Sequence, residues 1–558
     1  MPPSQSSLNQ DGTMSSTFDD LKSISTTLRA ILDNYVNTCA KLRDRYFQEH
    51  ASDKLDQLLD RVTNELELVA SYGVKLKQAE SSMKVVRNSS PSIVPISALP
   101  PEILTRIFRI VTDDQPELLD ATRAPFKVSL SFPKYPETLS YVCFGWRQIA
   151  IASYDLWTRI DLVLYHSLGP RFLARAKVYV NRACRLPLDV HMIDPTLGQD
   201  YLYGNPYDFD DYSFLSLAQT PMRALSLVSY HGLRDEHYNF IWYCLMNCAQ
   251  QTLKQLVIRD ERDCSGSYCF IESADNHHGT ESLQVDLPLQ KLEGVWDSVS
   301  VLRLVGLYPY WTSRAYHQLV DLRLGSDKMG GRVPVTEAQI VDILRASPRL
   351  RIFHLHLRFT DALPDDARVL PIQLDELESV NLSSIKVNPS QILRFISPGQ
   401  KPLQLSIHGR PTDVVEQFLM RSNITQLRMV AWRTYPLINA LCLCPNLQKL
   451  VLDVWGKMKD NNFQSIPEQE HGGATTAPTR LHSLYILRCD GASLDDLRNI
   501  VERHSVQELT LWDTYPTIYD EDSSESQTAD QFEVSKLCPV VNYLGGRSRS
   551  PMDDWDLF

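Results

Sequence analysis

The stretch Leu319-Val320-Asp321-Leu322-Arg323-Leu324 sets the pattern from which the rest of the chain is read. Aliphatic and polar residues alternating over so short a run make a strand with one apolar face. The spacing aliphatic-x-x-aliphatic-x-aliphatic returns 31 residues later at Leu350/Phe353/Leu355 and 27 after that at Leu377/Val380/Leu382. It occurs earlier at Met222/Leu225/Leu227, Leu253/Leu256/Ile258 and Val299/Leu302/Leu304. Later instances are Ile424/Leu427/Met429, Leu447/Leu450/Leu452, Leu481/Leu484/Ile486 and Val506/Leu509/Leu511, with Leu403/Leu405/Ile407 a degenerate member.

Steps of 23 (Ile424 to Leu447), 25 (Leu481 to Val506), 27 and 31 residues lie at or just beyond the roughly 20–29 of leucine-rich repeats. Helical segments, such as Thr336 to Leu344 and Leu494 to Val501, fill the intervals. One such unit cannot bury its own apolar face, so units must stack into a curved array. The step from Leu253 to Val299 is 46 residues, so the array is expected to be irregular and to carry loops. The expected fold class is α/β: residues 165–515 as a leucine-rich-repeat-like solenoid, with a polar loop at 457–479.

Upstream, Leu99-Pro100-Pro101-Glu102-Ile103-Leu104-Thr105-Arg106-Ile107-Phe108 reads as a short helix. Pro101 suits the first helical position, where its missing N–H has no helical partner, and Glu102 suits the first turn, where the helix dipole favours an anion. Ile103, Leu104, Ile107, Phe108 and Val111 keep helical spacing. Leu139, Val142, Trp146, Ile149 and Ala150 make a second stripe, closed by Leu156-Trp157. These three blocks resemble an F-box, the helical module that docks on a Skp-type adaptor in cullin-based ubiquitin ligases. The likeness is greatest to the form abundant in mushroom-type fungi, in which a variable insert splits the motif. The resemblance places the F-box at 93–162 with an inserted loop at 112–138 containing Pro116, Pro125, Pro133 and Pro136. It departs from the pattern at Gly145, which costs a helix roughly 1 kcal/mol relative to Ala. What it implies is docking of a Skp-type adaptor, and through it a cullin scaffold, by Leu99, Pro100, Ile103, Leu104, Ile107, Phe108, Val142, Cys143, Trp146 and Trp157. Some of these must instead hold the helices together, and Leu156-Trp157 are expected to join them to the repeats. Arg171 to Arg182, then Leu186-Pro187-Leu188-Asp189-Val190, extend the resemblance as a helix and a first strand.

Residues 1–16 are polar and Ser-rich and are expected to be unstructured. Residues 17–87 carry two stripes, Leu21/Ile24/Leu28/Ile31/Tyr35/Leu42 and Leu55/Val62/Val69/Leu76, out of heptad frame with one another. They read as two long helices, forming a hairpin or a coiled coil with another chain. The hairpin is preferred, because Glu65 stands at a core-type position and Gly73 interrupts the second helix. Residues 516–558 read as an acidic, mostly unstructured tail. Its end, Trp555-Asp556-Leu557-Phe558, reads as a docking peptide or, preferably, an unstructured terminus.

A net charge of −12 and 22% charged residues argue against a general nucleic-acid binder. No apolar run has the length of a membrane span. Eleven cysteines at irregular spacing, behind a start without a signal-peptide pattern, are expected as reduced thiols in the cytoplasm and/or nucleus. Gly325 to Arg332 lacks the Lys-Ser/Thr of a phosphate loop. Cys244, Cys248, Cys264, Cys269, His277 and His278 fit no zinc spacing, and Cys442 and Cys444 read as core. No catalytic motif, cofactor or metal site is found, and what the F-box resemblance implies is a non-catalytic substrate adaptor whose repeats hold an unknown protein substrate, with His354, Arg428 and Trp512 as candidate contacts. The alternative is a scaffold that binds partners without directing ubiquitination.

Overall fold

The structure is a computed structural model that describes residues 10–48, 55–88, 93, 95–114, 134–164, 168–195, 221–230, 232–260, 268–276, 282–325, 333–364, 370–430, 441–457, 480–518, 527–528, 531–545, 548, 550–552 and 555. The start of the expected unstructured N-terminus (1–9), most of the insert (115–133), Gly325–Arg332 beyond Gly325 itself, and the polar loop from 458 to 479 lie outside these residues. The chain divides into two compact units, Met1–Leu99 and Pro100–Phe558.

The first unit holds helices α1 (Gln10–Gln48) and α2 (Leu55–Asn88) and a 3-10 turn at Pro95–Ala98. α1 begins seven residues before the expected boundary, so residues 10–16 are helical. α2 runs through Gly73, around which an added Cβ would meet nothing within 4 Å; the glycine weakens the helix and does not end it. Tyr35 Oη donates to Glu65 Oε1 at 2.7 Å, so α2 folds back along α1 as a hairpin. Glu65, which spoils an apolar seam, here serves as the hydrogen-bond acceptor, and that bond pushes the Tyr35 pKa up to about 12.

The second unit is an α/β structure built on a large, almost wholly parallel sheet. Fourteen strands follow one another in chain order from Arg159–Val163 to Val540–Leu544, with shorter strands in the intervening loops forming separate small sheets. The recurring aliphatic positions fall in register: Leu302, Leu322, Phe353, Val380, Leu405, Leu427, Leu450, Leu484 and Leu509 pair in succession. Each of them is 0% exposed. Identical local sequence thus places equivalent side chains side by side, and burial of each row supplies roughly 1.5–3 kcal/mol per aliphatic residue before chain entropy is counted. The helix Glu337–Ala346 starts at a capping box of Thr336 and Gln339 and buries Ile340, Val341, Ile343 and Leu344. The helix expected at Leu494 to Val501 extends to Arg503.

Three expectations are corrected. The sheet begins at Arg159–Val163, within residues assigned to the helical module, so Pro100 to Phe558 is a single unit. Among the described residues of 516–558, expected to be mostly unstructured, Val540–Leu544 pairs in parallel with Glu508–Trp512, and Met552 and Trp555 are buried. Cys444 is buried, with its thiol pushed up to about 12 by that burial, whereas Cys442 is exposed. Among the described residues no helix is long and apolar enough to cross a membrane.

Candidate interaction surfaces

The short helices at the start of the second unit are α3 (Pro101–Asp113), α4 (Glu137–Val142) and α5 (Phe144–Ala152), followed by a 3-10 turn at Tyr154–Trp157. α3 opens on Pro101 as expected. It carries two aliphatic stripes about a quarter-turn apart. Leu104 and Phe108 are buried, with the Phe108 ring 4.9 Å from that of Trp146. Ile103 and Ile110 are 45% and 60% exposed, and Ile107 between them is half-buried. A helix needs one such stripe to hold its place; the second is surplus to folding.

The continuous second helix expected over 139–150 is instead broken at Cys143, whose backbone is extended (φ −156°, ψ 172°). Its sulfur accepts the Trp146 N–H at 3.4 Å, capping α5, and Arg147 Nε donates to the Ser140 carbonyl at 3.0 Å, serving the end of α4. The break turns Tyr141, Val142 and Phe144 outward, all more than half exposed. Leu139 and Ala150 face inward.

Trp157 is fully buried: its indole N–H donates to the Ala150 carbonyl at 2.7 Å, its ring meets Tyr179 edge-on at 5.0 Å, and the Arg182 guanidinium lies 4.2 Å from its centroid. It ties α5 to the helix Gly169–Ala183 and has no surface to offer a partner. The ten residues named from the F-box resemblance therefore sort into Pro100, Ile103, Val142 and Cys143 exposed, Ile107 and Trp146 half-buried, and Leu104, Phe108 and Trp157 buried; Leu99, in the first unit, is exposed. Ile110, Tyr141, Phe144, Ile151 and Tyr154 are exposed apolar residues that sequence reasoning missed. Periodicity could have found Ile110, three positions beyond Ile107.

The second candidate is the other sheet face, most of whose aligned residues are also buried. Between the aliphatic rows, register aligns Arg303, Arg323, His354, Asn381, Ser406, Arg428, Val451, Tyr485, Thr510 and Asn542. At one end Asp321 accepts from Arg303 Nη2 (2.8 Å) and Arg323 Nε (2.8 Å). Burial, with Arg323, His356 and Arg303 nearby, holds His354 well below the usual imidazole pKa, so it is neutral. Further along, Asp453, its side chain fully buried, accepts from Arg428 Nη2 at 3.0 Å and Arg488 Nε at 2.8 Å. His354, Arg428 and Trp512 do share this face, but His354 and Arg428 are 3% and 5% exposed and act mainly within the sheet.

Beyond Arg428 the row passes through Val451 and Tyr485 before turning polar again at Thr510 and Asn542. Val451 and Leu487 form a cluster with Met552 and Trp555, with Tyr485 and Trp512 packed against it. Asn381 Nδ2 donates to the Trp555 carbonyl at 3.2 Å, and Trp512 Nε1 donates to the Ser548 carbonyl at 3.2 Å. The Lys449 ammonium lies 4.1 Å from the Tyr485 centroid and 5.2 Å from that of Trp555. The end of the chain is thus seated on the sheet face.

Cys244 and Cys269 are buried and Cys248 half-buried, while Cys264, His277 and His278 lie outside the described residues. Among the described residues no three His, Cys, Asp or Glu side chains converge to hold a metal. One surface offers exposed aliphatic side chains, the other rings, a cation and an amide that meets backbone. No protein-family model matches the chain, and no curated protein is significantly similar to it.

Proposed function

We propose that this chain is a non-catalytic substrate adaptor of a Skp/cullin/F-box-type ubiquitin ligase. In this reading α3–α5 dock on a Skp-type adaptor, which links the chain to a cullin scaffold. The parallel sheet with its helices is a leucine-rich-repeat-like solenoid, and its polar face receives the substrate. The observation that carries the reading is the second stripe of α3: Ile103, Ile107 and Ile110 keep helical spacing and are left for another subunit to cover. Support comes also from Tyr141, Val142 and Phe144, exposed where the motif's second block breaks at Cys143.

The test is affinity capture from cells with the wild-type chain and with Ile103→Asp/Ile110→Asp. Both positions are exposed, so the variant is expected to fold as wild type does. Wild type should recover a Skp-type adaptor together with cullin, and the variant neither. Recovery of the adaptor without cullin would make the chain a scaffold, and undiminished recovery by the variant would remove the docking role from α3.

A further inference from the structure

We propose that the sheet face at Lys449, Val451, Tyr485, Leu487 and Trp512 is a binding site for acidic peptide segments carrying a tryptophan with an aliphatic residue three positions before it, and that the chain's own C-terminus occupies this site in cis. The proposal rests on the reading of the polar face as the substrate face and names the class of substrate it takes.

Met552 is 0% and Trp555 6% exposed. They sit on Val451 and Leu487, two aliphatic side chains on a face whose other residues are largely polar. The strands are held also by the buried rows on the opposite face, so this socket is a second, separate apolar cluster. The hydrogen bonds from Asn381 and Trp512 go to backbone carbonyls, so they fix the register of whichever segment lies there and leave its side chains to be chosen by the socket. Lys449 lies over both the Tyr485 and Trp555 rings, a cation–π arrangement that selects an aromatic at this position.

Charge complements the acidic preference: Arg428, Arg488 and Lys449 stand on this stretch of the face beside the carboxylates of Asp453 and Glu508. The sequence Met552-Asp553-Asp554-Trp555-Asp556 brings three carboxylates within five residues. A tethered segment competes at an effective concentration on the order of 1 mM, so it masks the site from any free peptide of micromolar affinity. A substrate must displace it, and the tail sets the threshold of affinity that a substrate must pass.

A dye-labelled peptide with the sequence of residues 548–558, titrated against the full-length chain and read by fluorescence polarisation, tests this. The Trp555→Ala chain, its site vacated, should bind the peptide at least tenfold more tightly than wild type. Adding Lys449→Glu to that variant should abolish the gain, and a peptide with its three aspartates changed to Asn should bind several-fold more weakly. Equal binding by wild type and Trp555→Ala, with matching thermal melts, would overturn the proposal, and an undiminished Asn peptide would overturn its acidic component. Should Trp555→Ala fail to fold, wild type decides. Saturating unlabelled peptide should speed hydrogen exchange around Met552, and unchanged exchange overturns the site. No adaptor or cullin is present in these titrations, so their failure leaves the ligase reading standing, and loss of adaptor capture leaves this site standing.

Discussion

Changing Ile103 and Ile110 together to Ala trims the outward stripe of α3 and leaves the inward one intact. The two are 45% and 60% exposed, so about half of each side chain is left for a partner to cover. Fully burying an isoleucine contributes about 1.5–3 kcal/mol. The pair should therefore supply about 1.5–3 kcal/mol of docking free energy, or about 10- to 150-fold in Kd. Their share in the fold should be small, under about 0.5 kcal/mol each, as for other surface substitutions. Phe108→Ala is the contrast: fully buried against Trp146, it should cost about 3–5 kcal/mol of stability. Calorimetric titration of a purified Skp-type adaptor, run beside thermal melts of the same preparations, separates the two effects. The reasoning is refuted if the double variant melts as early as Phe108→Ala, since the stripe would then be core. It is equally refuted if the double variant binds the adaptor as wild type does.

Asp453→Ala leaves the buried Arg428 guanidinium without its carboxylate and should cost about 3–5 kcal/mol in urea unfolding, whereas Asp453→Leu with Arg428→Met should recover much of that loss. His354 is held neutral by burial beside Arg323 and Arg303, while in the unfolded chain it titrates near 6.5. The unfolded state therefore takes up the proton first, and stability should fall as pH drops below about 6.5, at up to about 1.4 kcal/mol per pH unit; His354→Asn should flatten that slope in melts from pH 7 to 5. Gly73→Ala, in open space within α2, should stabilise the helix by about 1 kcal/mol and slow hydrogen exchange around it about fivefold.

Much of the sheet was legible because its signal is local. Each repeat carries its own alternation, and like strands pair in chain order, so Leu322 and Phe353 could be placed side by side from their spacing alone. The same spacing is present at Trp157/Ile160/Leu162, and reading it there would have found the first strand and the burial of Trp157 together. The last strand was hidden for a different reason. Val540–Leu544 has only half-buried or exposed side chains and follows an acidic run, so its place comes from backbone pairing with Glu508–Trp512 and not from any apolar period. The break at Cys143 was equally silent, because Leu139 to Ala150 keeps helical spacing across it; the extended backbone and its sulfur cap are set by Trp146 and Arg147.

By itself the sequence determined an α/β array and the recurring positions that fill its interior, since these follow from periodicities a few residues long. Which of α3's two stripes is core was settled only in three dimensions: Ile103 and Leu104 are alike as residues, and packing against Trp146 places Phe108, in the Leu104 stripe, inside. So too with the end of the chain, which composition marks as an acidic tail. Asn381 and Trp555 stand 174 residues apart, and no local pattern can say that such residues meet. The contact exists because the sheet turns Val451, Tyr485 and Leu487 to one face and gives the last tryptophan somewhere to go.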